Sequence, residues 1–191
     1  MAVESNALCS LDEVKNYIGM VGSKQVDDDL LEDLSNRVTQ LFTNFCERDT
    51  FKVKTYTEYY DGDASRHLFV NNTPLISITS IYDDPDWVWG SDTLLVASTY
   101  RIVDGKYVTL NGEAFSSYDQ SIKIVYRAGY ETIPLDLKQA AIEEVVRKYK
   151  HRKDFDVLSK TLDDGTADYI GPELMKSTLQ VLKFYRVNWV Y

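Results

Sequence analysis

Apolar residues recur along this chain in two rhythms, and the switch between them predicts a switch in architecture. Ser10 and Glu13 have capping-box spacing and open a short helix, Leu11–Ile18, which Gly19 and Gly22 end. Residues 1–9, ahead of it, read as a flexible arm. From Asp27 to about Arg48, Leu30, Leu31, Leu34, Val38, Leu41, Phe42 and Phe45 recur at three- and four-residue steps. That spacing predicts an amphipathic helix roughly 30 Å long, at about 1.5 Å per residue. Its apolar face needs a partner helix, and only the C-terminal third supplies one.

From Phe51 the period becomes two. Phe51–Tyr60 alternates aromatic and β-branched residues with polar ones, the signature of a half-buried strand. Further strands are predicted at His67–Val70, Leu75–Tyr82 and, briefly, Leu94–Ala97, separated by Asp61-Gly62-Asp63, by Asn71–Pro74 and by an irregular loop, Asp83–Asp92, that displays Trp87 and Trp89. Tyr100–Val103 and Lys106–Leu110 flank Asp104-Gly105, which suits a type I′ hairpin turn. Ser121–Tyr126 closes the β region, Gly129 stops the strand, and Pro134 begins a helix from Leu135 to about Lys153. A polar connection, Asp154–Gly171, then leads to a last helix starting at Pro172, with Leu174, Thr178, Val181, Leu182 and Tyr185 along one face.

The order of elements predicts an α+β fold: a helical bundle core of about four helices with an inserted antiparallel β subdomain. Residues 1–50 would give the first core helices, 51–128 the β insertion, 129–185 the remaining core helices and 186–191 a tail. With 191 residues the chain can bury a sizeable core. Its net charge of -9 argues against a general nucleic-acid binder, which needs a basic face to displace counterions, and against docking on anionic lipid. Cys9 and Cys46 lie far apart without companions at metal-ligand spacing, as in a reduced intracellular pair. No basic start followed by an apolar run opens the chain, and no apolar stretch approaches the roughly 20 residues that span a bilayer. A soluble protein made in the cytoplasm is the expectation.

Candidate chemistry is sparse. Asp61-Gly62-Asp63-Ala64-Ser65 begins like a calcium loop, but Arg66 and Asn72 stand where such a loop needs Gly and Glu, so a solvated turn accounts for it. Helix capping accounts for Asp27-Asp28-Asp29. His67 and His151 share no local triad or metal spacing, and Glu143-Glu144 reads as an exposed helical face. Phosphate-loop, dinucleotide, nucleophile-elbow and zinc-protease patterns do not occur. Neither a catalytic residue, a metal nor a cofactor is therefore assigned. The basic cluster Arg147, Lys148, Lys150, Arg152 and Lys153 complements a helix C-terminus, and its functional reading is contact with a neighbouring acidic subunit or with DNA. The terminal octet Phe184, Tyr185, Arg186, Val187, Asn188, Trp189, Val190 and Tyr191 is rich in residue types that dominate binding hot spots. It either folds back on its own core or docks into a partner.

Several stretches together resemble the head–tail connector (adaptor, or head-completion) proteins of tailed bacteriophages. They are Leu11–Ile18 with the acidic run and long helix after it, Tyr56–Gly62 before the Leu-Phe-Val strand, Thr73–Ile78, Val125–Tyr130, and Ile133-Pro134 leading into Leu135–Ala141. The likeness spans about residues 8–153, and it rests on the order and spacing of these stretches rather than on any one motif. It implies a non-enzymatic virion protein at the capsid vertex, made in the host cytoplasm. It implies a homo-oligomeric ring of twelve copies under the portal protein, joined to a stopper or tail-completion protein, with DNA passing through. It also moves the terminal octet toward docking into the portal. The Asp83–Asp92 loop and the Asn111–Gln120 connection match nothing in that family pattern, so Trp87 and Trp89 become a candidate partner-facing loop. A different reading makes the Trp- and Tyr-rich β surface a carbohydrate- or protein-binding module.

Overall fold

The computed structural model describes residues 5–20, 27–152, 159–162, 165–168 and 174–187. The chain divides into two compact units, one built from residues 1–51 and 133–186, the other centred on 52–132. The α+β class read from the sequence holds: among the described residues there are four α-helices, with two three-stranded antiparallel sheets between the second and the third.

The helical unit holds α1 (Leu11–Ile18), α2 (Asp28–Phe45), α3 (Leu135–Lys150) and α4 (Lys176–Tyr185). α1 starts at the expected capping box, in which the Ser10 hydroxyl accepts from Glu13 N–H and the Glu13 carboxylate accepts from Ser10 N–H. It stops at Gly19, whose φ of 85° is left-handed. On α2 the buried stripe is Leu31, Ser35, Val38, Thr39 and Phe42, while Leu30, Leu34, Leu41 and Phe45 are half-buried. The buried hydroxyls stay satisfied because Ser35 and Thr39 donate back to the carbonyls of Leu31 and Ser35, at 2.9 Å each. Leu31, Val38 and Phe42 join Val14, Leu137, Ala141, Val145 and Leu182 in the core.

Four expectations for this unit need correction. Ala7, Leu8 and Cys9 are not part of a flexible arm: they are buried, and Leu8 N–H donates to Thr39 Oγ1 at 3.1 Å, so an apolar triplet is tied to α2. α4 begins at Lys176 rather than at Pro172, which lies outside the described residues, although Leu174 is buried as expected. The stretch read as a polar connection contains two strands, β7 (Ser159–Leu162) and β8 (Gly165–Asp168), paired antiparallel. Asp27 makes no capping bond, because its carboxylate is taken by Tyr149 of α3 and by Arg152 just past its end.

The β unit has two three-stranded antiparallel sheets. In one, β6 (Ile122–Ala128) runs between β1 (Lys54–Tyr60) and β3 (Leu75–Asp83). In the other, β5 (Tyr107–Leu110) runs between β2 (His67–Phe69) and β4 (Tyr100–Val103). Both feed one core that includes Leu68, Val108, Phe115, Ile81, Ile124 and Tyr126. The β4–β5 turn has the positive φ values, 51° at Asp104 and 63° at Gly105, that a type I′ turn requires. The strand expected at Leu94–Ala97 shrinks to one bridge, Tyr82 to Leu94, followed by a 3-10 turn at Ala97–Thr99. Where the chain enters and leaves this unit, Lys52 and Tyr130 lie side by side. There Gly129 has φ 117°, and a Cβ on it would sit 2.5 Å from the Lys52 carbonyl oxygen, so glycine is required on both counts. Among the described residues no helix is long and apolar enough to cross a membrane.

Candidate functional site

Several carboxylates and tyrosines hold the structure together by hydrogen bonds to one another and to the backbone. Asp61 Oδ1 accepts from the backbone and side-chain amides of Gln120, at 2.8 and 3.1 Å, and Asp63 Oδ1 accepts from Ser65 N–H at 2.8 Å. The turn reading of Asp61–Ser65 thus has a geometric basis. Tyr60, Tyr126, Tyr149 and Tyr185 each donate a phenolic proton to a carboxylate: Glu58 twice, then Asp27 and Asp136. Burial, reinforced by the Glu58 charge, pushes the Tyr60 and Tyr126 hydroxyls far above the usual tyrosine range, so they act as fixed donors. The same two oxygens accept from Asn71 and Asn72 N–H and pin the turn before β3. Cys9 and Cys46 are free and buried, and burial raises each thiol to about 11. No group of three metal-ligating side chains occurs among the described residues.

Glu143 and Glu144 part company. Glu143 is half-buried and accepts from Gln139, one helical turn away. Glu144, expected on an exposed face, is fully buried: it pairs with Arg147 at 2.9 Å and accepts from Met175 N–H, the amide that opens α4. The reason is its place on the stripe of Leu137, Ala141 and Val145, which turns it toward the helix-start donors of α4.

The basic cluster at the end of α3 is divided in a similar way. Arg147 serves Glu144, and Arg152 lies 3.9 Å over the Tyr149 ring with an ion pair to Asp27. Lys148 is half-buried and Lys150 exposed, and Lys153 lies outside the described residues.

At the end of α4, Phe184 is 85% exposed while the two residues after it are locked. The Tyr185 hydroxyl donates to Asp136, its carbonyl accepts from Arg48 at 2.5 Å, and its ring meets Phe51 edge-on. Arg186 pairs with Glu47, Val187 is half-buried, and Asn188, Trp189, Val190 and Tyr191 lie outside the described residues.

The loop after β3 separates its two tryptophans. Asp84 is buried, and its carboxylate accepts from the N–H groups of Asp86, Val88 and Trp89 and from the Thr93 hydroxyl, at 2.6–3.3 Å. Its desolvation would raise the pKa, but those donors outweigh it and hold the carboxyl below its usual value. Trp89 is not displayed: it packs against Tyr59 and Tyr82, with the Lys123 ammonium 5.6 Å from its ring. Trp87, 58% exposed with its indole N–H on the Asp119 carbonyl, and Val88, 76% exposed, form the tip. Their separation was not legible in sequence, because an alternating Trp-Val-Trp suggests both rings on one face. A left-handed φ of 59° at each tryptophan breaks that alternation.

Among the described residues these side chains brace loops and helix ends, while Phe184, Trp87 and Val88 are among the apolar residues left exposed. The model of the head completion protein family matches residues 7–187, and the chain belongs to that structural family. The resemblance to phage head–tail connectors carried by Leu11–Ile18, Tyr56–Gly62 and Val125–Tyr130 is thereby borne out. Among solved structures the chain is similar in fold to a component of the "neck of native GTA particle computed with C12 symmetry". The TM-score is 0.60 and the identity 15%, over 100% of this chain and 94% of that one. A component of the "neck of empty GTA particle computed with C6 symmetry" gives 0.56 and 16%, over 100% and 95%. A component of the "virion of native gene transfer agent (GTA) particle" gives 0.62 and 14%, over 100% and 95%. No curated protein sequence matches.

Proposed function

We propose that this chain is the adaptor of a tailed-phage neck: copies assemble as a ring on the portal protein, extend the DNA channel and receive a stopper or tail-completion protein. The observation that carries this reading is the head completion family match across residues 7–187. The neck components of gene transfer agents, whose fold covers the whole chain, support it, and their C12 and C6 symmetries make a ring of twelve copies the natural form. The virion neck is then its location. A net charge of -9 suits a conduit that DNA crosses without being held. Lys148 and Lys150, with Arg147, Arg152 and Lys153 around them, are assigned to the contact between subunits or to the channel wall.

The portal anchor in this reading is the terminal octet, Phe184–Tyr191. Its root supports the assignment: Tyr185 and Arg186 are fixed by Asp136, Arg48 and Glu47, while the Phe184 ring faces outward. A fixed root lowers the ordering cost of whatever follows it. Deleting Arg186–Tyr191 removes the half-exposed Arg186–Glu47 ion pair, worth at most about 1 kcal/mol, and leaves α4 with its buried Leu182, so the thermal midpoint serves as the check that the fold is kept. The truncated protein is expected to lose portal binding, read by co-sedimentation, and to add no ring to portals in electron micrographs. Unchanged affinity of the truncated protein for purified portal sinks the assignment.

A further inference from the structure

Two of the exposed apolar surfaces of the β unit have opposite electrostatic surroundings. One is the Trp87–Val88 tip, held rigid by Asp84 and flanked by the exposed carboxylates of Asp86 and Asp92. Both tryptophans of this loop are left-handed, a conformation bulky residues adopt only when the surroundings impose it. The other is the outer face of the β2–β5–β4 sheet. Leu68 points into the core, so its neighbours His67 and Phe69 face out, and the register sets Phe69 opposite Tyr107 and Arg101 opposite Thr109 on that same face. The Phe69 and Tyr107 rings lie 5.0 Å apart, and Phe69 is 48% exposed. The exposed cations Arg101 and Lys106 flank this face, with Asp104 in the turn as the opposing charge.

We infer that these surfaces bind each other between copies: the Trp87–Val88 tip of one subunit docks on the Phe69–Tyr107 face of the next. The inference rests on the ring proposed above and names the β-unit contact within it. The patches differ, so the contact is heterologous, and repetition of a heterologous contact closes a ring when the rotation allows. A contact of either patch with itself would set like charges together, carboxylates on carboxylates or cations on cations. Tryptophan and tyrosine supply the residue types that dominate such interfaces, and a tip already ordered by Asp84 loses little freedom on docking. The carboxylates meeting Arg101 and Lys106 fix orientation and register.

The test is charge reversal with rescue, read as rings formed on purified portal by electron microscopy. The Asp86→Lys/Asp92→Lys and Arg101→Glu/Lys106→Glu proteins change only exposed side chains, and unchanged circular dichroism and melting confirm their fold. Each is expected to lose ring formation. The protein with all four changes restores both the charge pairing and the native net charge, and is expected to regain it. Trp87→Ala removes the tip without altering charge and is expected to lose ring formation as well. Wild-type rings that persist in every variant overturn the contact and leave the adaptor reading standing. Loss in the reversals without rescue in the fourfold variant also overturns the contact. A wild-type chain that forms no ring on portal overturns both.

Discussion

Glu144 shows how much one buried charge decides in the helical unit. Its carboxylate pairs with Arg147 and satisfies the first amide of α4, Met175 N–H, so removing it takes the buried acceptor from that amide and loosens the hold on Arg147. Glu144→Ala is expected to destabilise the protein by about 2 kcal/mol, whereas Glu143→Ala, whose partner is one exposed amide on its own helix, should stay within about 0.5 kcal/mol. Denaturant unfolding of the two variants decides it, and equal losses would refute the assigned roles. Taking adjacent glutamates as an exposed pair overlooked the sequence signal, which was there: Glu144 falls seven residues after Leu137 and three after Ala141, both core positions. What the sequence could not show was the Arg147–Glu144–Met175 arrangement, since nothing local links residue 144 to the start of α4. The same holds for Asp27, read as a cap and found instead with Tyr149 and Arg152, more than a hundred residues away.

At the scale of elements, legibility followed the strength of the periodic signal. α1 with its capping box, the type I′ hairpin and the β6-to-α3 passage through Gly129 all rest on local chemistry and stand as read. β7 and β8 are four residues each, too short for alternation to stand out from a polar background, and they were missed. The loop after β3 was legible only as irregular, because much of its order comes from one side chain, Asp84, collecting four donors. Asp84→Ala should therefore release the loop without unfolding the sheet: hydrogen exchange of the Val88 and Trp89 amides speeds up while that of β6 is unchanged. The Asp84 carboxyl is held below its usual pKa, so the loop's protection is fully present above the ordinary carboxylate range and is lost only as pH falls through the lowered value. Protection of Val88 and Trp89 that survives in Asp84→Ala would show that some other contact holds the loop.

At the scale of the molecule, the division into a helical unit and a β unit predicts that one can be separated from the other. Residues 52–132 contain a core of their own, with Ile81, Ile124 and Tyr126 fully buried among residues of the same unit. The two ends of that segment already meet, through the Lys52–Tyr130 bridge and the close approach of Gly129 to the Lys52 carbonyl, so cutting there leaves no strand unpaired. A segment of about 80 residues buries roughly 60% of its unfolded surface, enough for independent but modest stability. The excised β unit is thus expected to fold with dispersed amide resonances and a cooperative, low-temperature melt. Under the adaptor reading it should also fail to bind portal, because Phe184 and the fixed residues Tyr185 and Arg186 stay behind with α4. A disordered fragment would mean that the β sheets depend on the helical unit for their fold. A folded fragment that still bound portal would move the anchor from the terminal octet to the β surface, and the Trp87–Val88 tip would become the first place to look.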